Sequence, residues 1–348
     1  MAETFDEARL DDEVALAAAD ALLRPLAEAG SRVRREAGAA GEAISAAVAA
    51  AAGDPRPRAV VAAGPDSRLL RAVLEPWCPV PFVAWPGSGL PGWAGSLDLV
   101  IVLAPEGGDS RAASAVAEAV RRGCSLVVAC PPGSLVAEHA VGRHSTVLPT
   151  SSGDQLATAV VMLEFLDRID LGPDADADAV ADALDAVAVA CSPFRDLAVN
   201  PAKGLAIALA DSVPLVWGGS VLAARAARRV AESVRRVTGR AALAADAEQL
   251  LPVIAAAPVR DVFADPFADP VDEGELRPAL LVLDDGATDA PVREQRGRLA
   301  VAAQEHGVRV ETLSADTGTE VARYAALLAS GIYTATYLGL GLDRLATD

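Results

Sequence analysis

Five short apolar runs constrain this chain more than any other feature: Arg58–Gly64 (RAVVAAG), Leu97–Leu103 (LDLVIVL), Ser125–Ala129 (SLVVA), Val213–Trp217 (VPLVW) and Ala279–Leu283 (ALLVL). Each is too short for a buried helix and rich in Val, Ile or Leu, so each reads as a strand buried on both faces. Further strands are expected at Val80–Ala84 and Val308–Leu313. Helical stretches lie between them, at Ser67–Leu74, Gly108–Arg122, Asp154–Leu166, Asn200–Ala210, Val221–Thr238, 291–306 and Glu320–Leu340. Strands alternating with helices at this spacing predict parallel, doubly wound sheets. The pattern pauses after residue 166 and restarts at 200, which predicts two α/β units in succession.

The expected organisation is a helical region at 1–52, a first sheet domain at 53–171, an acidic connection at 172–190 and a second sheet domain at 191–348. In the helical region, Asp11 and Asp12 favour a helix start, and Pro25 and Gly30 are expected to punctuate the run. The stretch 258–278, rich in Pro and Asp, reads as irregular.

A length of 348 residues, 52% hydrophobic, is ample for buried cores, which at 4% aromatic must be built from small contacts. The net charge of −18 opposes a phosphate backbone or an anionic membrane surface, so neither nucleic acid nor membrane is an expected partner. Lys203 is the single lysine, so any chemistry that needs an amine must use it; an ion pair is its expected role. Cys78, Cys124, Cys130 and Cys191 form no CxxC pair and read as small buried apolar groups, with no metal site or cofactor implied. Met1–Arg9 is acidic and polar, no apolar run is long enough to span a bilayer, and the expected location is the cytoplasm.

Three segments carry a family resemblance. NPAKGLAIALADSVPLVWGGS (Asn200–Ser220) is similar to the opening of the second sugar-isomerase (SIS) domain of bifunctional phosphoglucose/phosphomannose isomerases. Residues 97–140 resemble that family's first-domain strand, phosphate loop and helix, and TGTEVARYAALLASGIYTATYLGL resembles its closing helix. The resemblance implies a homodimer of tandem SIS domains that interconverts aldose and ketose 6-phosphates through a cis-enediol. Such chemistry needs a phosphate pocket, a base for the C1/C2 proton and a group that opens the sugar ring.

Carried onto this sequence, the phosphate loops fall at Gly64-Pro65-Asp66-Ser67-Arg68 and at Ala104–Ala112. Gly64, Ser67, Gly107, Ser110 and Arg111 are the candidate binding residues there. Hydroxyl positions of the second loop hold Ala104, Glu106, Asp109 and Ala112, and two carboxylates would repel a dianion. The position of the family's base falls on Leu250, leaving Glu248 as a weak nearby candidate that reads first as an exposed helix glutamate. No histidine lies at 286–294 and no lysine near the C-terminus; His139, His144 and His306 have other readings, His306 as a helix C-terminal partner. Gly218, Gly219 and Ser220 form a strand-to-helix turn that suits either a ligand or a purely structural cap.

These residues predict a sugar-phosphate-binding protein with lost or altered catalysis and a binding or regulatory role in hexose-phosphate or mannose metabolism. The alternative is an active aldose–ketose isomerase acting on glucose 6-phosphate, mannose 6-phosphate and fructose 6-phosphate.

Overall fold

A computed structural model describes residues 5–257 and 276–345. Most of the irregular stretch expected at 258–278 therefore lies outside the described residues. Contacts divide the chain into two compact units, one formed by Ala29–Ala183 with Gly318–Ala322 and the other by the rest.

The helical start divides into α1 (Glu13–Ala18), α2 (Asp20–Ala27) and α3 (Ala29–Ala51). Asp12 caps α1 by accepting from the Ala15 amide at 2.8 Å. The breaks fall at Ala19 and Glu28, not at Pro25 and Gly30, which lie inside α2 and α3. Pro25 is the sixth residue of an eight-residue helix, so its missing N–H removes only the bond to the carbonyl four residues back.

The unit containing α3 holds a five-stranded parallel sheet. Its elements run β1 (Val60–Ala63), α4 (Ser67–Leu74), β2 (Phe82–Trp85), β3 (Leu99–Leu103), α5 (Ser110–Arg122), β4 (Ser125–Cys130), α6 (Leu135–His139), β5 (Ser145–Pro149) and α7 (Gln155–Arg168). The strand order is β2-β1-β3-β4-β5, so the winding reverses between β1 and β3. Alternate residues Val61, Ala63, Val100, Val102, Leu126 and Val128 pack against Ala112, Ala115, Val116 and Ala119 of α5. That alternation is the two-residue period of a strand turned toward a helix face. Neither α6 nor β5 was expected; β5 is a half-buried edge strand without a continuous apolar run.

Within the stretch 172–190, Ala177–Ala190 form helix α8. The four-stranded unit then follows: α9 (Pro201–Leu209), β6 (Ser212–Gly218), α10 (Val221–Thr238), β7 (Leu243–Ala244), α11 (Ala247–Ala255), β8 (Arg277–Asp284), α12 (Ala290–Glu305), β9 (Arg309–Ser314) and α13 (Glu320–Gly341). All pairings are parallel in the order β7-β6-β8-β9. Leu215, Trp217, Leu280 and Val282 pack on Leu250 and Ile254 of α11 and Leu299 and Ala303 of α12. On α13 a Cβ at Gly331 would lie 2.2 Å from Val230 Cγ2, so this glycine admits a close approach to α10. Tyr333 and Tyr337 stack with centroids 6.3 Å apart, and the Tyr337 hydroxyl donates to the Cys191 carbonyl at 2.7 Å. The fold expectation, two parallel α/β units with an N-terminal helical segment, is met.

Candidate functional site

In open parallel sheets, ligands bind outside the carboxyl ends of the strands where the winding reverses. In the five-stranded unit those ends are the loops after β1 and β3. Gly64 follows β1 at φ +87°, and a Cβ there would sit 3.5 Å from Ala112 Cα, so this turn lies against the first turn of α5. Ser67 begins α4 fully buried, and its hydroxyl has no hydrogen-bond partner. Gly107 adopts φ +70°, and its carbonyl accepts from the Val136 amide at 3.1 Å. A Cβ on Gly107 would lie 2.3 Å from Ser134 Cβ, so the β3–α5 loop is pressed against the loop after β4.

Asp109 dominates this loop. It is the N-cap of α5, and its Oδ1 accepts from the Arg111 and Ala112 amides, both at 2.9 Å. Its Oδ2 accepts from Arg111 Nη2 at 3.3 Å. Burial alone would raise the Asp109 pKa, but hydrogen bonds from the Ala112 amide and the Arg111 side chain outweigh it and hold the carboxyl below its ordinary value. Ser110 and Glu106 are exposed beside it. The α5 amides that the resemblance would offer to a phosphate thus already carry the chain's own carboxylate.

In the four-stranded unit, β6 ends at Gly218 and α10 starts after Ser220. A Cβ on Gly218 would lie 2.2 Å from the Ala223 carbonyl carbon, and one on Gly219 would lie 2.3 Å from Val292 Cγ1. Both glycines are therefore required by close packing. Ser220 Oγ accepts from the Ala223 amide at 3.0 Å and donates to Asp285 Oδ2. A cavity of about 30 Å³ lies beside Gly219, Asp284, Asp285 and Arg296, enough for a water molecule but not for a hexose. Arg296 pairs with Asp284 across it.

Glu248 stands in the first turn of α11, largely exposed, with both carboxylate oxygens engaged by Arg298 of α12. Hydrogen bonding and the charge of Arg298 hold its carboxyl below the ordinary glutamate range. The candidate residues therefore divide, with Gly64, Ser67, Gly107, Ser110 and Arg111 in one unit and Gly218, Gly219, Ser220 and Glu248 in the other. Sequence reasoning missed Asp285 and Arg298, which lie 65 and 50 residues from the partners they engage. It met Asp109 only as a repelling charge, although an Asp just before an amphipathic helical run is a recognisable cap signal.

Lys203 makes the expected ion pair. Fully buried, its Nζ donates to Asp11 Oδ1 at 2.6 Å and to the carbonyls of Pro193 and Arg195 at 2.9 and 3.0 Å. It also lies 5.7 Å from the centroid of the Tyr337 ring. All three ammonium protons are used, so no proton-transfer role is open to it in this arrangement. His306 is the C-cap of α12. Among the described residues, no group of three or more His, Cys, Asp or Glu is placed to hold a metal. Nor is any described helix long and apolar enough to cross a membrane.

Residues 198–344 match the family model of the bacterial phospho-glucose isomerase C-terminal SIS domain. Tagatose-6-phosphate ketose/aldose isomerase from Escherichia coli superposes with a TM-score of 0.66 over 92% of this chain and 93% of its own, at 14% identity. The chain has the SIS fold. The C-terminal domain of glucosamine-fructose-6-phosphate aminotransferase from Francisella tularensis is a further neighbour of that fold, with a TM-score of 0.56 at 11% identity, covering 90% of this chain and 95% of that one. No curated protein matches the sequence. Within the SIS fold seen here, Gly64 after β1 is set by its left-handed backbone and Gly218 at the end of β6 by close packing, and the helix starts after β3 and β6 each engage an aspartate.

Proposed function

We propose that this chain is a binding or regulatory SIS-fold protein, akin to the bifunctional phosphoglucose/phosphomannose isomerases, that has lost aldose–ketose isomerisation. The observation that carries this reading is Glu248. A base that moves a proton between C1 and C2 near neutral pH works best with a pKa near the working pH, in a site that excludes water. Glu248 has the opposite setting, exposed, paired with Arg298 and more acidic than an ordinary glutamate. Lys203 is committed to Asp11 and two carbonyls, which removes the single lysine from ring opening. The ligand class on this reading is a carbohydrate derivative of hexose-phosphate or mannose metabolism, bound by a cytoplasmic homodimer.

The test is incubation of the protein with fructose 6-phosphate in deuterated water, followed by proton NMR. The expected result is an unchanged spectrum at high protein concentration. Deuterium next to the carbonyl, or the appearance of glucose 6-phosphate or mannose 6-phosphate, would replace this reading by the active isomerase.

A further inference from the structure

We infer that Phe194 is a self-association anchor: in a homodimer its ring enters the apolar groove between β6, β8 and α11 of a second copy, and the second copy's ring enters the groove of the first. This contact rests on the homodimer of the reading above and gives it a surface.

Phe194 is 94% exposed, the most exposed large apolar side chain among the described residues. A lone apolar side chain on a slack loop is ordinary. This loop is not slack. Lys203, fully buried, donates to the Pro193 carbonyl at 2.9 Å and to the Arg195 carbonyl at 3.0 Å, so one ammonium fixes the backbone on both sides of the ring. The Ser192 carbonyl accepts from the Arg195 amide and from Asn200 Nδ2, both at 3.0 Å, and Arg195 Nε donates to the Val199 carbonyl at 3.2 Å. A ring presented from a rigid turn loses little freedom on binding, which is what an interface anchor requires. Val189 and Val199 are exposed in the same stretch of chain.

The chain also carries an acceptor. An open groove of about 490 Å³ is lined by Val213 and Leu215 of β6, Pro252 and Val253 of α11, and Leu276 and Pro278 around the start of β8. No charged side chain lines it, and its volume is that of a small-ligand pocket, room enough for a phenyl ring. Groove and ring belong to the same unit, and the nine-residue α9, about 14 Å long, separates Phe194 from Val213 along the chain.

Charge selects the occupant. A second copy brings another −18, so two copies meet most easily where neither presents charges of one sign. The groove is uncharged, and Arg195 and Asp196, next to the ring in sequence, are of opposite sign. Area sets the symmetry. Inserting one aromatic ring covers roughly 200 Å² of its own surface and a similar area of lining. One contact therefore gives roughly 400 Å², the scale of crystal packing, against the about 1,200 Å² at the lower end of specific interfaces. Two reciprocal contacts, extended by Val189 and Val199, approach that limit, so the exchange is mutual and the dimer weak.

The experiment is sedimentation equilibrium of the wild type and two variants at one salt concentration, with circular dichroism to show that each variant folds. Phe194→Ala removes the ring from an exposed position, and Val253→Glu puts a charge into the groove. Each is expected to raise the dimer dissociation constant at least about ten-fold. Mixed in equal amounts, with one of them fluorescently labelled, the two variants restore one of the two contacts. Their mixed dimer is expected to be tighter than the dimer of either variant alone. Wild-type strength in either variant, or a mixture no tighter than its components, would overturn this contact and leave the homodimer standing. A wild type that stays monomeric would remove both, while the loss of isomerisation is decided separately by deuterium exchange.

Discussion

Burial moves the acidic groups around Cys191 upward. Cys191 is 1% exposed, and loss of solvent pushes its thiol from 9.0 to about 11, against smaller opposing effects of the Ala202 amide and Arg195. Tyr333, stacked on Tyr337, is pushed up to about 12 by the same cause. The folded state therefore holds the Cys191 proton more tightly than the unfolded chain does. The stability this contributes is complete below about pH 9 and is lost as pH rises through about 11. A shift of that size corresponds to about 3 kcal/mol. Urea unfolding followed from pH 8 to 11, in steps of about one unit, is expected to show a falling midpoint whose slope Cys191→Ala reduces, the remaining slope coming from Tyr333 and the other thiols and phenols raised by burial. A wild-type midpoint independent of pH would contradict the placement of this thiol.

Among the elements, the junction of β6 and α10 has the least tolerance. A Cβ at Gly218 would come within 2.5 Å of three backbone atoms of Ala223 and Ala224, and backbone cannot move aside as a long side chain can. Gly218→Ala is expected to cost about 1–3 kcal/mol in chemical denaturation, without any ligand present. An unchanged midpoint would mean that the glycine is there for a ligand alone. This junction was legible in the sequence, because strand, Gly-Gly-Ser and helix follow each other directly and Ser220 is a standard cap. The same holds for α5, α7 and α9, whose caps Asp109, Asp154 and Asn200 announce them.

What escaped were β5 and β7, a half-buried edge strand and a two-residue one, neither long nor apolar enough to stand out, together with the five-residue α6 and with α8, which lies in the stretch expected as a connection. The site was readable to the same extent. Its glycines and hydroxyls carry local signals, whereas the Ser220–Asp285 and Glu248–Arg298 pairs exist only once distant elements meet. The breaks at Ala19 and Glu28 were missed because Pro and Gly signal helix ends only where their missing bond or missing side chain falls at an end.

At the scale of the molecule, charge sets the conditions. Each chain carries −18, and bringing two together adds repulsion that salt screens over about 10 Å at 0.1 M. The proposed homodimer is therefore expected to gain strength between about 0.05 and 0.5 M salt, moving sedimentation toward a species of twice 35.5 kDa. A monomer throughout that range would remove the dimer from the reading.

The buried lysine has a consequence for labelling. Since Lys203 is the single side-chain amine and is fully buried against Asp11, amine-directed reagents should leave side chains of the folded chain unmarked. Acylation at that one position would instead count openings in which the N-terminal segment lets go, making the residue a built-in reporter of how often the chain breathes.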